Sequence, residues 1–138
     1  MTTLVIGLPG TGKTTWVKER LGDGLCYDLD AIAAALRLTA PHKEYHSGSR
    51  LLADLICRDF IDEAQNYAND LFIIRSAPGE TMLDAIGPDL VICCRREYRR
   101  EDCSKRRREA ILRGIEEVRA WCDRNRVPFK YADEEAEA

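Results

Sequence analysis

The run Gly7-Leu8-Pro9-Gly10-Thr11-Gly12-Lys13-Thr14 restricts the fold of this chain more than any other segment. It reads G-x-x-x-x-G-K-T, and its flanks are those that phosphate binding requires. Thr3-Leu4-Val5-Ile6 ahead of it is short, apolar and β-branched, as a buried strand would be. Thr15-Trp16-Val17-Lys18-Glu19-Arg20-Leu21 behind it continues as a helix. Strand, glycine loop and helix in that order make a P-loop. The glycines permit backbone torsions and approaches that a Cβ would block. Successive N–H groups can then turn inward as an anion nest at a helix N-terminus. Pro9 stiffens the loop and reduces the entropy lost in ordering it. Lys13 is expected to reach the β- and γ-phosphates, and the Thr14 hydroxyl to ligate Mg²⁺. The expected phosphate-binding set is Gly7, Pro9, Gly10, Thr11, Gly12, Lys13, Thr14 and Thr15, with Lys13 also catalytic. A dinucleotide site is excluded, because the glycines are spaced G-x-x-G-x-G and not G-x-G-x-x-G. The ligand expected here is a nucleoside triphosphate.

The 138 residues are enough for one domain that buries about 68–70% of its unfolded surface. No stretch approaches the ~20 apolar residues that span a bilayer, so no membrane partner is expected. The first strand starts at the N-terminus, which leaves no room for a signal peptide. Six cysteines (Cys26, Cys57, Cys93, Cys94, Cys103, Cys122) are scattered without a C-x-x-C pair. They read as reduced core thiols of a cytoplasmic protein.

The remaining apolar runs alternate with helical patterns. Strands are expected at Leu25–Tyr27, Leu71–Ile74, Leu90–Cys93 and Val127–Tyr131, the last at an edge because of Pro128. Helices are expected from Asp30 to Leu36, with Asp30 as N-cap, and from Ser49 to about Asn69. The second would bury a stripe of Leu52, Ile56, Phe60, Ala64 and Ala68. A further helix carries Ile111, Ile115, Val118 and Cys122 on one face, with Trp121 beside it. Trp16 and Trp121 read as packing residues. The expected fold is an α/β three-layer P-loop NTPase with a short, mostly parallel five-stranded sheet. Residues 1–132 form one kinase-like domain, followed by an acidic, frayed tail at 133–138.

In an open parallel sheet the ligand sits beyond the carboxyl ends of the strands. Asp28-Leu29-Asp30 emerges there after the second strand, and Arg75-Ser76-Ala77-Pro78 after the third. A carboxylate beside the P-loop can take the proton of an attacking hydroxyl or hold Mg²⁺ through water. Equally, Asp30 could simply cap its helix and Asp28 simply end its strand. After the fourth strand, residues 95–108 hold eight basic and three acidic side chains. This stretch reads as a lid over the triphosphate, as a nucleic-acid-binding face, or as a solvated helix face with internal ion pairs. Its position favours the lid, with Arg99, Arg106 and Arg107 as candidates. His42 and His46 lack a third ligand at metal-binding spacing and read as part of a loop shaping the substrate pocket.

The segment GLPGTGKTTW, followed by a strand ending in Asp28-Leu29-Asp30 and a helix through Ile32 and Leu36, resembles the polynucleotide-kinase-like and zeta-toxin-like branch of P-loop kinases. It is similar to the small ATP-binding proteins of bacteriophages and prophages that carry an AAA-family ATPase label. The resemblance covers the first ~36 residues. It implies ATP and Mg²⁺ as ligands, Lys13 and Thr14 on phosphate and metal, Asp30 as general base, and Arg106 or Arg107 in the lid. Asp28 is the second metal candidate and Arg99 a further nucleotide contact. The sequence departs from that branch in two places. The third strand ends Ile74-Arg75-Ser76, without the acid of a Walker B motif. Polynucleotide kinases also carry an arginine three residues beyond the base, where this chain has Ala33.

Two functions follow as expectations. The first is Mg²⁺-dependent transfer of the ATP γ-phosphate to a hydroxyl of a nucleoside, nucleotide or nucleic-acid 5′ end. The second is an ATP-binding or ATPase module that acts through a partner protein or nucleic acid.

Overall fold

The apolar runs found in the sequence become the strands of a single sheet in the computed structural model, which describes residues 1–41, 46–98 and 103–135. The strands are β1 (Thr2–Gly7), β2 (Leu25–Asp28), β3 (Leu71–Ile74), β4 (Leu90–Cys94) and β5 (Phe129–Tyr131). Their order across the sheet is β2-β3-β1-β4-β5, and every pairing is parallel. The P-loop strand is therefore central, and β5, which follows Pro128, lies at an edge as expected.

Parallel strands are joined by crossovers, which cover both faces and make the strands apolar throughout. Alternate residues of β1 show this. Leu4 and Ile6 pack with Tyr27, Ile73, Val91 and Cys93 on one face, whereas Val5 packs with Phe72, Ile74, Ile92 and Cys94 on the other. The first face is covered by α2 (Leu29–Ala35), α3 (Ser47–Ala64), α4 (Glu80–Ile86) and α5 (Lys105–Asn125). The second is covered by α1 (Lys13–Lys18) through Val17 and Trp16, with Ala132 of α6 (Ala132–Glu135) beside it. This is the expected three-layer α/β arrangement.

Several boundaries and faces differ from expectation. The N-cap of α2 is Asp28, not Asp30: its Oδ1 accepts from the backbone N–H of Asp30 at 3.1 Å and of Ala31 at 3.4 Å. Asp28 is still in extended conformation at the end of β2, so its side chain reaches back over the first turn, and Asp30 is released from capping. Helix α3 starts two residues earlier than expected and ends at Ala64. His46 caps it, its Nδ1 accepting from the Ser49 N–H at 3.0 Å. The buried stripe of α3 is Ala53, Cys57, Ile61 and Ala64, one position along from the expected Leu52, Ile56 and Phe60. Leu52 is 49% and Ile56 36% exposed. Small side chains win that face because α3 lies close over β2, where Tyr27 donates its hydroxyl to the Ala53 carbonyl at 2.5 Å. Helix α4 had no counterpart in the sequence reading. The tail expected to be frayed from 133 is helical through Glu135, and Asp133 is held by Arg95.

Candidate functional site

The carboxyl ends of β2, β3, β1 and β4 lie along one edge of the sheet. Asp28 is in register with Ile74, Ile74 with Val5, and Gly7 with Cys94. The loop leaving β1 is tied to its neighbour by the Gly7 N–H, which donates to the Ser76 carbonyl at 3.1 Å. Gly7 has φ 149°, and a Cβ there would overlap the Cys94 carbonyl. The loop then turns through Gly10 and Gly12, at φ 79° and 83°. Gly12 caps α1 with no side-chain hydrogen bond to its first turn, and the Trp16 N–H donates to the Gly12 carbonyl at 2.9 Å. Thr11 is buried and donates its hydroxyl to the Leu8 carbonyl at 2.7 Å, so it holds the loop's shape from within. Thr14 and Thr15 are exposed at the start of α1.

Lys13 is folded back across this loop, its Nζ donating to the carbonyls of Gly7 at 2.7 Å and Leu8 at 3.0 Å. Burial lowers the Lys13 pKa, while the charges of Asp30, Cys94 and Asp28 pull it up and Arg107 pushes it down further. An ammonium partly stripped of water and curled over a glycine cradle is matched to an anion arriving at the loop. Asp28 and Asp30 after β2, and Arg107 in the first turn of α5, therefore all act electrostatically on the P-loop lysine. Arg106 precedes Arg107 on the same turn and is exposed. Ser104 sets that turn by accepting from the Arg107 N–H at 3.1 Å. Arg99 lies outside the described residues, as does His42.

The residues present also fit Mg²⁺. The exposed Thr14 hydroxyl and the half-buried Asp28 carboxylate are hard oxygen donors, which is the donor type that ion prefers. Among the described residues there is no group of three His, Cys, Asp or Glu side chains that would bind a metal alone.

The sequence reading missed three further residues. Asp30 is ion-paired with Arg50 of α3; the two side chains are 19% and 28% exposed. Arg50 thus places a guanidinium beside the candidate base although Ala33 cannot. Asp54, one turn along α3, pairs with Arg75 at the end of β3, the position where a Walker B acid would stand. Only spatial proximity could reveal these pairs, since 20 and 21 residues separate the partners. The third is Tyr98, whose N–H donates to the Gly10 carbonyl at 3.0 Å. Within the basic segment, Arg95 pairs with Asp133 at 3.1 Å and lies 3.7 Å from the centre of the Tyr131 ring. Arg108 pairs with Glu97. Ion pairing inside this segment, one of the readings of the sequence, holds for Arg108 and Glu97, whereas Arg95 pairs outside it. His46 serves as a helix cap and Trp121 as a packing residue whose Nε1 donates to Asp84 at 3.0 Å.

No family model and no curated protein sequence matches the chain. Among solved structures, the chain is similar to the APS kinase CysC of Mycobacterium tuberculosis, in a cysteine-to-alanine variant. The alignment has 15% identity and a TM-score of 0.39, and it covers 83% of this chain and 96% of that one. Among the described residues no helix is long and apolar enough to cross a membrane.

Proposed function

We propose that this protein is an ATP- and Mg²⁺-dependent phosphotransferase that acts on a hydroxyl of a nucleoside, nucleotide or nucleic-acid 5′ end. The observation that carries the reading is the position of Asp30. It is released from helix capping, oriented by Arg50, and close enough to the P-loop lysine to act on its charge. A P-loop by itself binds nucleotide. A carboxylate on the β2 side of that loop adds a group able to receive a proton where an acceptor would lie.

The chemistry is in-line displacement. The acceptor hydroxyl gives its proton to the Asp30 carboxylate as its oxygen bonds to the γ-phosphorus. The bond from that phosphorus to the β–γ bridging oxygen breaks, and ADP leaves with the electron pair. Lys13 leaves the Gly7 and Leu8 carbonyls for the β- and γ-phosphate oxygens, and Arg107 adds positive charge from α5. Thr14 and Asp28 would hold Mg²⁺, which would supply charge neutralisation during transfer. The loop and the β2–α2 turn then fix donor and acceptor in line, which is the larger part of catalysis in phosphoryl transfer.

The direct test is ADP release from Mg²⁺-ATP, alone and with separate pools of nucleosides, nucleotides and 5′-hydroxyl oligonucleotides. Release should rise with one pool and fall to background in Asp30→Asn, with ATP binding retained. Release unaffected by every pool would reject the transferase and favour an ATP-binding or ATPase module that acts through a partner.

A further inference from the structure

The strand order divides the candidate site into two sides. On the β2–β3 side of the P-loop stand Asp28, Asp30, Arg50, Asp54 and Arg75, all charged. On the β4 side stands an aromatic ring. Tyr98 is 68% exposed. It is nevertheless not loosely placed. Its N–H donates to the Gly10 carbonyl, and a Cβ built on Gly12 would lie 3.3 Å from its Cε2 and 3.4 Å from its Cδ2. The ring therefore lies in contact with the glycine that immediately precedes Lys13.

The residues leading to Tyr98 are anchored as well. Arg95 is fixed to Asp133 and stacked on Tyr131, and Glu97 is paired with Arg108 of α5. The Arg96 guanidinium lies 5.5 Å from the centre of the Tyr98 ring. Three anchors on four successive residues hold an aromatic side chain at the rim of a phosphate-binding loop and leave most of it open to solvent. The anchors act through the Tyr98 backbone and the side chains of its neighbours, and the ring itself faces Gly12 and Arg96.

We propose that Tyr98 is the stacking platform for the nucleobase of the triphosphate bound at the P-loop. The inference rests on the P-loop binding a nucleoside triphosphate and, for the direction in which the nucleoside leaves the loop, on the proposed acceptor side. If the β2–β3 side takes the acceptor, the nucleoside half must leave the loop toward β4, where the ring stands. A stacked ring contributes through the π-face that every base has. The platform therefore binds purine triphosphates with little discrimination by stacking alone.

The test is calorimetric titration of Mg²⁺-ATP and Mg²⁺-tripolyphosphate into the wild-type protein, Tyr98→Phe and Tyr98→Ala, with thermal melts to show that each variant is folded. Tyr98→Ala should weaken ATP binding about tenfold or more and leave tripolyphosphate unchanged, while Tyr98→Phe binds ATP like the wild type. Equal losses for ATP and tripolyphosphate would overturn the proposal and reduce Tyr98 to a support for loop shape. Unchanged ATP affinity in Tyr98→Ala would also overturn it. A wild-type protein that binds neither ligand would reject the P-loop reading itself, and this proposal with it.

Discussion

Asp28 carries two roles that a single substitution confuses and a pair separates. Its Oδ1 caps α2, and its carboxylate charge pulls up the pKa of Lys13. Replacing it with alanine removes the cap and should cost about 1 kcal/mol of stability. Asparagine caps as well as aspartate but carries no charge, so Asp28→Asn should unfold in urea at the wild-type midpoint. If Asp28 also holds Mg²⁺, the same variant should need more Mg²⁺ for half-maximal turnover. Equal Mg²⁺ dependence in the wild type and Asp28→Asn would leave Asp28 as a cap alone. At this scale the phosphate-binding half of the site was legible, because its residues are contiguous and each torsion or charge has one use. Gly7, Gly12 and Lys13 stand where the motif places them. The proposed acceptor half was legible only as far as Asp28 and Asp30. Their roles depend on partners such as Arg50, which sequence spacing does not connect to them.

Among the elements, α3 shows how a periodic pattern can be right about type and wrong about face. Apolar residues at 51, 52, 55 and 56 offer two adjacent stripes, and spacing alone cannot choose between them. The choice is made by clearance. Where α3 crosses β2, Ala53 and Cys57 are fully buried, and the Tyr27 ring stands between the helix and the sheet with Phe60 5.1 Å away. A leucine has no room there. Ala53→Leu should therefore cost about 1–3 kcal/mol by overpacking, whereas Leu52→Ser should change stability by no more than about 0.5 kcal/mol. Urea unfolding of the two variants checks this directly. The reverse order of effects would mean that Leu52 and Ile56 form the buried stripe after all. The strands were easier to read, because a parallel sheet covered on both faces needs continuous apolar runs and no alternative element explains them. Helix α4 escaped notice because its seven residues are too few for a helical period to stand out.

At the scale of the whole molecule, the two-faced core places ionisable groups where only their neutral forms are tolerated. Cys93, Cys94 and Cys122 are buried, and desolvation raises each thiol from 9.0 to about 11. Cys26 and Tyr27 are raised by the same cause, each to about 12. A raised folded-state value means that the native protein keeps a proton that the unfolded chain has released. The stability tied to these groups is thus complete below pH 9 and is lost as pH rises through the folded values. At pH 10.5 each of the three buried thiols should have given up about 2 kcal/mol. Lys13 works in the opposite sense. Its lowered pKa costs stability below that value, and the cost is relieved as pH approaches 10.5. One lysine cannot offset several thiols and a tyrosine, so the net change is a loss. The urea midpoint should fall between pH 8 and pH 10.5, and Cys122→Ala should show a shallower fall than the wild type, having lost one contributor. A midpoint that stays level across that range would show that these thiols do not remain protonated in the native core, and hence that the sheet is not sealed on both faces.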